Sequence, residues 1–170
     1  QRKPFGPLEK DPYRAQIEEF RQKRPQYDEL AETLIRVFLR ATKQLGMYAV
    51  VQARAKAIAS VAEKIQRPGK NYTDPMRQMT DLCGARVITH TLSEVEAVCR
   101  FIEEHFQIFW EDSGDKLEGL ADEEFGYLSR HYIISLRPGV FPTDLVPESL
   151  VQKQLKAEIQ VRTILQHAWA

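Results

Sequence analysis

Apolar and polar positions alternate most strictly in Ala157-Glu158-Ile159-Gln160-Val161-Arg162-Thr163. A period of two predicts a strand with Ala157, Ile159 and Val161 on a core face and Glu158, Gln160 and Arg162 on the other. A different period holds earlier. Residues 1–12 are Pro-rich and polar and read as an arm or loop; a helical pattern follows, strongest over 27–45, where Tyr27, Leu30, Ala31, Leu34, Ile35, Phe38 and Leu45 recur at three and four, and Gly46 ends it. Residues 47–53 fit a short strand, and 57–67 a helix with Ile58, Val61, Ala62 and Ile65 on its apolar side, stopped by Pro68-Gly69. After a polar loop over 70–83, residues 84–90 read as a strand and 94–105 as an amphipathic helix with Ser93 as its N-cap. Residues 106–110 and 125–136 read as strands on either side of an acidic loop over 111–124, and 138–147 as a loop. Strands interspersed with helices, some with hairpin-like connections, predict an α+β fold: a mixed β-sheet of about five strands flanked by helices. The division expected is an N-terminal arm and helical lead-in over 1–46 and a main domain over 47–170. Residues 165–170 read as the opening of a helix, so a truncated C-terminal helix is expected.

Composition narrows the picture. The 170 residues are 43% hydrophobic and 28% charged, with formal net charge zero, so bulk charge does not recruit polyanions and any phosphate site must be a local concentration of Lys and Arg. No apolar run is long enough to span a membrane and no segment resembles a secretory leader, so a cytoplasmic location is expected. Cys83 and Cys99 have no zinc-type spacing and imply no disulfide framework.

Three further constellations carry chemistry. Arg54, Lys56, Ser60, Lys64 and Arg67 form a basic row; spacings of four, four and three put Lys56, Ser60, Lys64 and Arg67 along one helix face, suited to a polyphosphate or simply to solvent. In Asp81-Leu82-Cys83-Gly84-Ala85-Arg86, an acid before a strand can ligate magnesium while Arg86 meets a phosphate; a turn Asp and an exposed Arg fit equally. In Phe125-Gly126-Tyr127-Leu128-Ser129-Arg130-His131, Tyr127 is placed either to stack on a nucleobase or to pack in the core. Ser129 and His131 stand side by side two apart on a strand with no third group, which excludes a hydrolase triad built on them. Glu158 and Arg162 on a rigid strand fit a metal and phosphate site, or a solvated charge pair.

The order of these blocks, R-x-K-x3-S-x3-K-x2-R, D-x-x-G-x-R-V-I, G-Y-x-S-x-H and E-I-Q-V-R-T followed by H-A-W-A, resembles the RelA/SpoT family of alarmone synthetases from about residue 47 to 170. The N-terminal helices resemble the lead-in of its small, single-domain members. The resemblance implies a nucleotidyltransferase-like synthetase domain that moves pyrophosphate from ATP to the 3′-hydroxyl of a guanine nucleotide, GDP or GTP, releasing AMP. It implies that Arg54, Lys56, Ser60, Lys64, Arg67 and Arg86 bind ATP, that Asp81 and Glu158 hold Mg2+ with Glu158 also the base, and that Tyr127, Ser129, His131, Gln160 and Arg162 serve the acceptor. Leu128 stands where the family usually has a basic or amide residue, and Arg130 where it has a small aliphatic one. The approach to Tyr127 carries Asp112, Asp115, Glu118, Asp122, Glu123 and Glu124, which disfavours a free polyphosphate acceptor. The F-G-Y-L-S form looks closer to the toxic small-synthetase branch, whose members modify the 3′ end of tRNA or make adenine alarmones. That likeness implies tRNA as an alternative partner, approached by Arg21, Lys23, Arg24, Arg36, Arg40 and Lys43, and an antitoxin as a further one. A non-catalytic nucleotide-binding domain is the reading of another class. The pattern specifies no oligomeric state.

Overall fold

A computed structural model describes residues 13–115 and 129–168. Its first element, α1 (Arg14–Gln44), is a 31-residue helix that occupies the stretch after residue 12 where the helical pattern is expected and runs through Pro25. A helix-interior proline forfeits a backbone hydrogen bond at about 3 kcal/mol. Burial on both sides of it offsets that loss: Phe20 and Tyr27 are buried with ring centroids 6.0 Å apart. The helix ends where Gly46 adopts φ 71°; its N–H donates to the Lys43 carbonyl at 3.1 Å and that of Met47 to Thr42 at 3.0 Å, the paired bonds of a Schellman cap.

The sheet comprises β1 (Val50–Ala55), β2 (Cys83–Thr89), β6 (Ala157–Thr163), β5 (Arg130–Leu136) and β3 (Phe106–Ile108) in that spatial order. The two-residue β4 (Gly114–Asp115) pairs with β5 on the edge that β3 also uses. The β2–β6 pair is parallel and the other pairs are antiparallel, so the sheet is mixed, as expected. Between β3 and β4 the chain turns, with Asp112 N–H donating to the Phe109 carbonyl at 3.1 Å, so the strand expected over 106–110 stops at Ile108. The strand expected over 125–136 is observed from Arg130; residues 125–128 lie outside the described residues.

The main core cluster lies on the face toward α1 and α4 (Leu92–His105): Cys83, Ala85 and Val87 on β2, and Ala157, Ile159 and Val161 on β6, are buried there. Both helices pack on this one face, α1 over β1 and β2 and α4 over β2 and β6. The opposite face carries the polar positions of the strands, together with the buried Ile88 and Ile133. The N-cap of α4 is Thr91 rather than the expected Ser93. Thr91 Oγ1 accepts from Glu94 N–H at 3.2 Å, and Glu94 Oε2 accepts from the N–H groups of Thr91 at 3.0 Å and His90 at 2.8 Å, a closed capping box.

Helix α2 (Ile58–Gln66) docks through Val61 and Ile65, and short helices α3 (Pro75–Gln78), α5 (Glu148–Gln152) and α6 (Ile164–Ala168) fill the connections. Because α2 begins at Ile58, Lys56 lies in the extended stretch before it and not on its face as expected. Among the described residues no helix is long and apolar enough to cross a membrane.

Candidate active site

Register decides which polar side chains meet. On the open face, Arg54 of β1 pairs with Gly84 of β2, and Gly84 with Glu158 of β6; one step along, Gln52 pairs with Arg86 and Arg86 with Gln160. Across the antiparallel β5–β6 pair, His131 is opposite Gln160 and Ile133 opposite Glu158. The face therefore carries Gln52, Arg54, Arg86, Glu158, Gln160 and His131 side by side. Gly84 contributes no side chain between Arg54 and Glu158, and an added Cβ there would meet nothing within 4 Å. The gap it leaves forms part of a cavity.

Asp81, in the loop before β2, is brought to this face by two lysines. Lys56 Nζ donates to its Oδ2 at 2.7 Å and Lys64 Nζ to its Oδ1 at 2.8 Å. Partial burial works against the charged carboxylate, but the two ammonium hydrogen bonds and their charge outweigh it and hold the Asp81 carboxyl below its ordinary range. On the other side of the gap, His131 Nδ1 lies 2.7 Å from Glu158 Oε1.

Two cavities open on the face. One, of about 430 Å³, is walled by Arg54, Lys56, Arg86 and Gln160. The other, of about 280 Å³, is walled by Lys64, Glu111, Asp112, Ser113 and His131. Asp81 and Glu158 line both. A cation-rich compartment and a more acidic one thus meet at a pair of carboxylates, which is a geometry for bringing two substrates together.

The other expected site residues stand apart from these linings. Ser60 and Arg67 are exposed at α2, with Arg67 paired to Glu63 at 3.1 Å. Arg162 is buried farther along β6, opposite Ile88. Ser129 precedes β5, and its buried Oγ has no hydrogen-bond partner among the described residues. Tyr127 lies outside the described residues. Sequence reasoning missed Gln52, which its alternation with Arg54 along β1 would have flagged, and Ser113. The Ser113 hydroxyl donates to the Phe109 carbonyl at 2.7 Å and accepts from Ile133 N–H at 2.9 Å, pinning the acidic wall to β5.

Two carboxylates suit magnesium, which binds proteins through one or two carboxylates and takes its remaining ligands from water and substrate phosphates. No group of three acidic, His or Cys side chains able to hold a metal exists among the described residues.

Residues 53–170 match the family described as "Region found in RelA / SpoT proteins". The chain belongs to the RelA/SpoT family. GTP pyrophosphokinase YwaC of Bacillus subtilis (strain 168) is 27% identical to it over 121 residues, 70% of this chain and 53% of that protein. The RelA/SpoT chain therefore spans about half the length of this curated relative. Its fold is that of small alarmone synthetase 1 from Bacillus subtilis, with a TM-score of 0.67 at 20% identity over 89% of this chain and 74% of the other. The same synthetase bound to its product pppGpp aligns with a TM-score of 0.66 at 21% identity, covering 89% and 76% of the two chains.

Proposed function

We propose that this RelA/SpoT chain is a pyrophosphokinase that transfers pyrophosphate from ATP to the 3′-hydroxyl of GDP or GTP, forming a (p)ppGpp-type alarmone and AMP. The observation that carries the reading is the meeting of the cationic and the acidic cavity at Asp81 and Glu158. The relative named as a GTP pyrophosphokinase and the synthetase structure described with pppGpp as product support the same reaction. In this reading the polyphosphate of ATP lies along Arg54, Lys56 and Arg86, whose charges oppose the build-up of negative charge during transfer. The acceptor hydroxyl enters from the cavity beside His131. Its oxygen bonds to the β-phosphorus of ATP as the bond from that phosphorus to the oxygen bridging to the α-phosphorus breaks; its proton passes to Glu158, and AMP leaves. Such transfers depend on alignment and charge neutralisation more than on covalent help. A bound Mg2+, held by Asp81 and Glu158, would add charge neutralisation on the phosphates. Lys56 and Lys64 are suited to exchange Asp81 for phosphate oxygens when ATP binds, since both are already drawn to the rim of the gap.

One observation favours a second acceptor. Glu111 and Asp112 wall the acceptor-side cavity, and paired acids repel a free polyphosphate more than the 3′ end of a tRNA, whose terminal ribose carries no such chain. ATP labelled on its terminal phosphates, offered with GDP, GTP, ADP, ATP and bulk tRNA in turn, separates the readings. Label on a guanine nucleotide supports the first. Label on tRNA alone supports the second, and label on no acceptor contradicts both.

A further inference from the structure

The resemblance assigns His131 to the acceptor, but its contacts point to a different task. We infer that His131 is a positioning residue that acts through Glu158, fixing the orientation in which the carboxylate meets the acceptor hydroxyl. This rests on the reading of Glu158 as the base. The Nδ1–Oε1 distance is 2.7 Å, with the two side chains only 11% and 17% exposed. An ionised carboxylate can only accept, so Nδ1 carries the hydrogen and Oε1 is occupied. A hydrogen bond to a charged group in a partly buried setting is stronger than one in water, so the carboxylate rotamer is held.

The backbone supports the pairing. His131 is opposite Gln160 and Glu158 opposite Ile133, so the two side chains are diagonal neighbours on one face of an antiparallel pair, close enough for an imidazole to reach a carboxylate. Both stand on strands within the sheet, and Ser113 ties β5 to the neighbouring turn through Ile133 N–H at 2.9 Å. A base mounted this way keeps its orientation before the acceptor arrives, the condition for efficient proton removal. With Nδ1 committed, only Nε2 is left for any other contact.

Asparagine places an amide nitrogen near the position of Nδ1, and glutamine near that of Nε2, so two variants separate the roles. Steady-state transfer is measured for His131→Asn, His131→Gln and His131→Ala, using ATP and the acceptor that takes label, with thermal unfolding as a check on folding. The expected result is a kcat loss of about 10- to 100-fold in the Ala and Gln variants, with acceptor KM within about twofold of the parent and substantial rescue by Asn. In a Glu158→Gln background, His131→Ala is expected to add no further loss, because both changes remove one function. Rescue by Gln instead of Asn, a rise in acceptor KM with kcat spared, an unaffected Ala variant, or additive losses in the double variant would each overturn the inference. Wild-type transfer by Glu158→Gln alone would instead refute the base assignment beneath it.

Discussion

Asp81 is held by two ammonium groups rather than one, and this separates its part in folding from the part in chemistry proposed for it. Lys56, Lys64 and Asp81 are each about a quarter exposed, so solvent screens the triad and its net stabilisation is small. Asp81→Asn is expected to change unfolding free energy by no more than about 1 kcal/mol in a denaturant titration. The same change is expected to lower label transfer by about 100-fold or more, as loss of a preorganised charge at a reacting centre does. A large stability loss with transfer falling only in proportion would make Asp81 a structural residue. Arg54 and Arg86 are exposed arms of the cationic cavity. Replacing either with Ala is expected to raise the KM for ATP about tenfold while leaving the acceptor KM unchanged, and an effect on the acceptor alone would reverse the assignment of the two cavities.

Elements were readable to the extent that local chemistry forms them. The strand Ala157–Thr163 follows from strict alternation, and the end of α1 from Gly46, whose φ of 71° strains any residue with a Cβ. Gly46→Ala is expected to destabilise the protein by about 1–2 kcal/mol, measured by equilibrium unfolding. Two overlapping signatures, Thr91-x-x-Glu94 and Ser93-x-x-Glu96, are equivalent by local pattern at the start of α4, and the helix closes its capping box at the first. Thr91→Ala is accordingly expected to cost about 1 kcal/mol and Ser93→Ala less than about 0.5 kcal/mol. Helix α1 continues unbroken through Pro25, a local breaker overruled by the burial of Phe20 and Tyr27 on either side. Of the basic row only Arg54, Lys56 and Lys64 line the two cavities, because the spacing that aligns the row assumes one continuous helix. With α2 beginning only at Ile58, Lys56 and Lys64 converge on Asp81 from two elements, while Arg67 turns to Glu63.

At the scale of the molecule, what local pattern could not supply is register. Nothing near Gly84 or Glu158 in sequence states that β2 and β6 are parallel neighbours with those two residues opposite, yet this pairing joins the cavities. The one-sided packing of α1 and α4 has a second consequence. Burial pushes the Cys83 thiol from its ordinary 9.0 up to about 12, and burial likewise lifts the Tyr27 hydroxyl from 10.0 to about 12. A raised pKa means the folded state holds its proton longer than the unfolded chain. The stability these groups contribute is full below pH 9 and is lost as pH rises toward 12. Unfolding free energy is expected to fall between pH 9 and 11, with a shallower slope in Tyr27→Phe; an unchanged slope in that variant would remove Tyr27 from the account.

The central claim is that the carboxylates shared by the two cavities are where pyrophosphate changes hands. It is tested most directly by label transfer from ATP catalysed by Glu158→Gln, read beside the wild-type chain at matched ATP occupancy. The expected result is a kcat lower by about 10²- to 10⁴-fold with ATP affinity within about threefold of wild type. Transfer by the variant at the wild-type rate would contradict the claim.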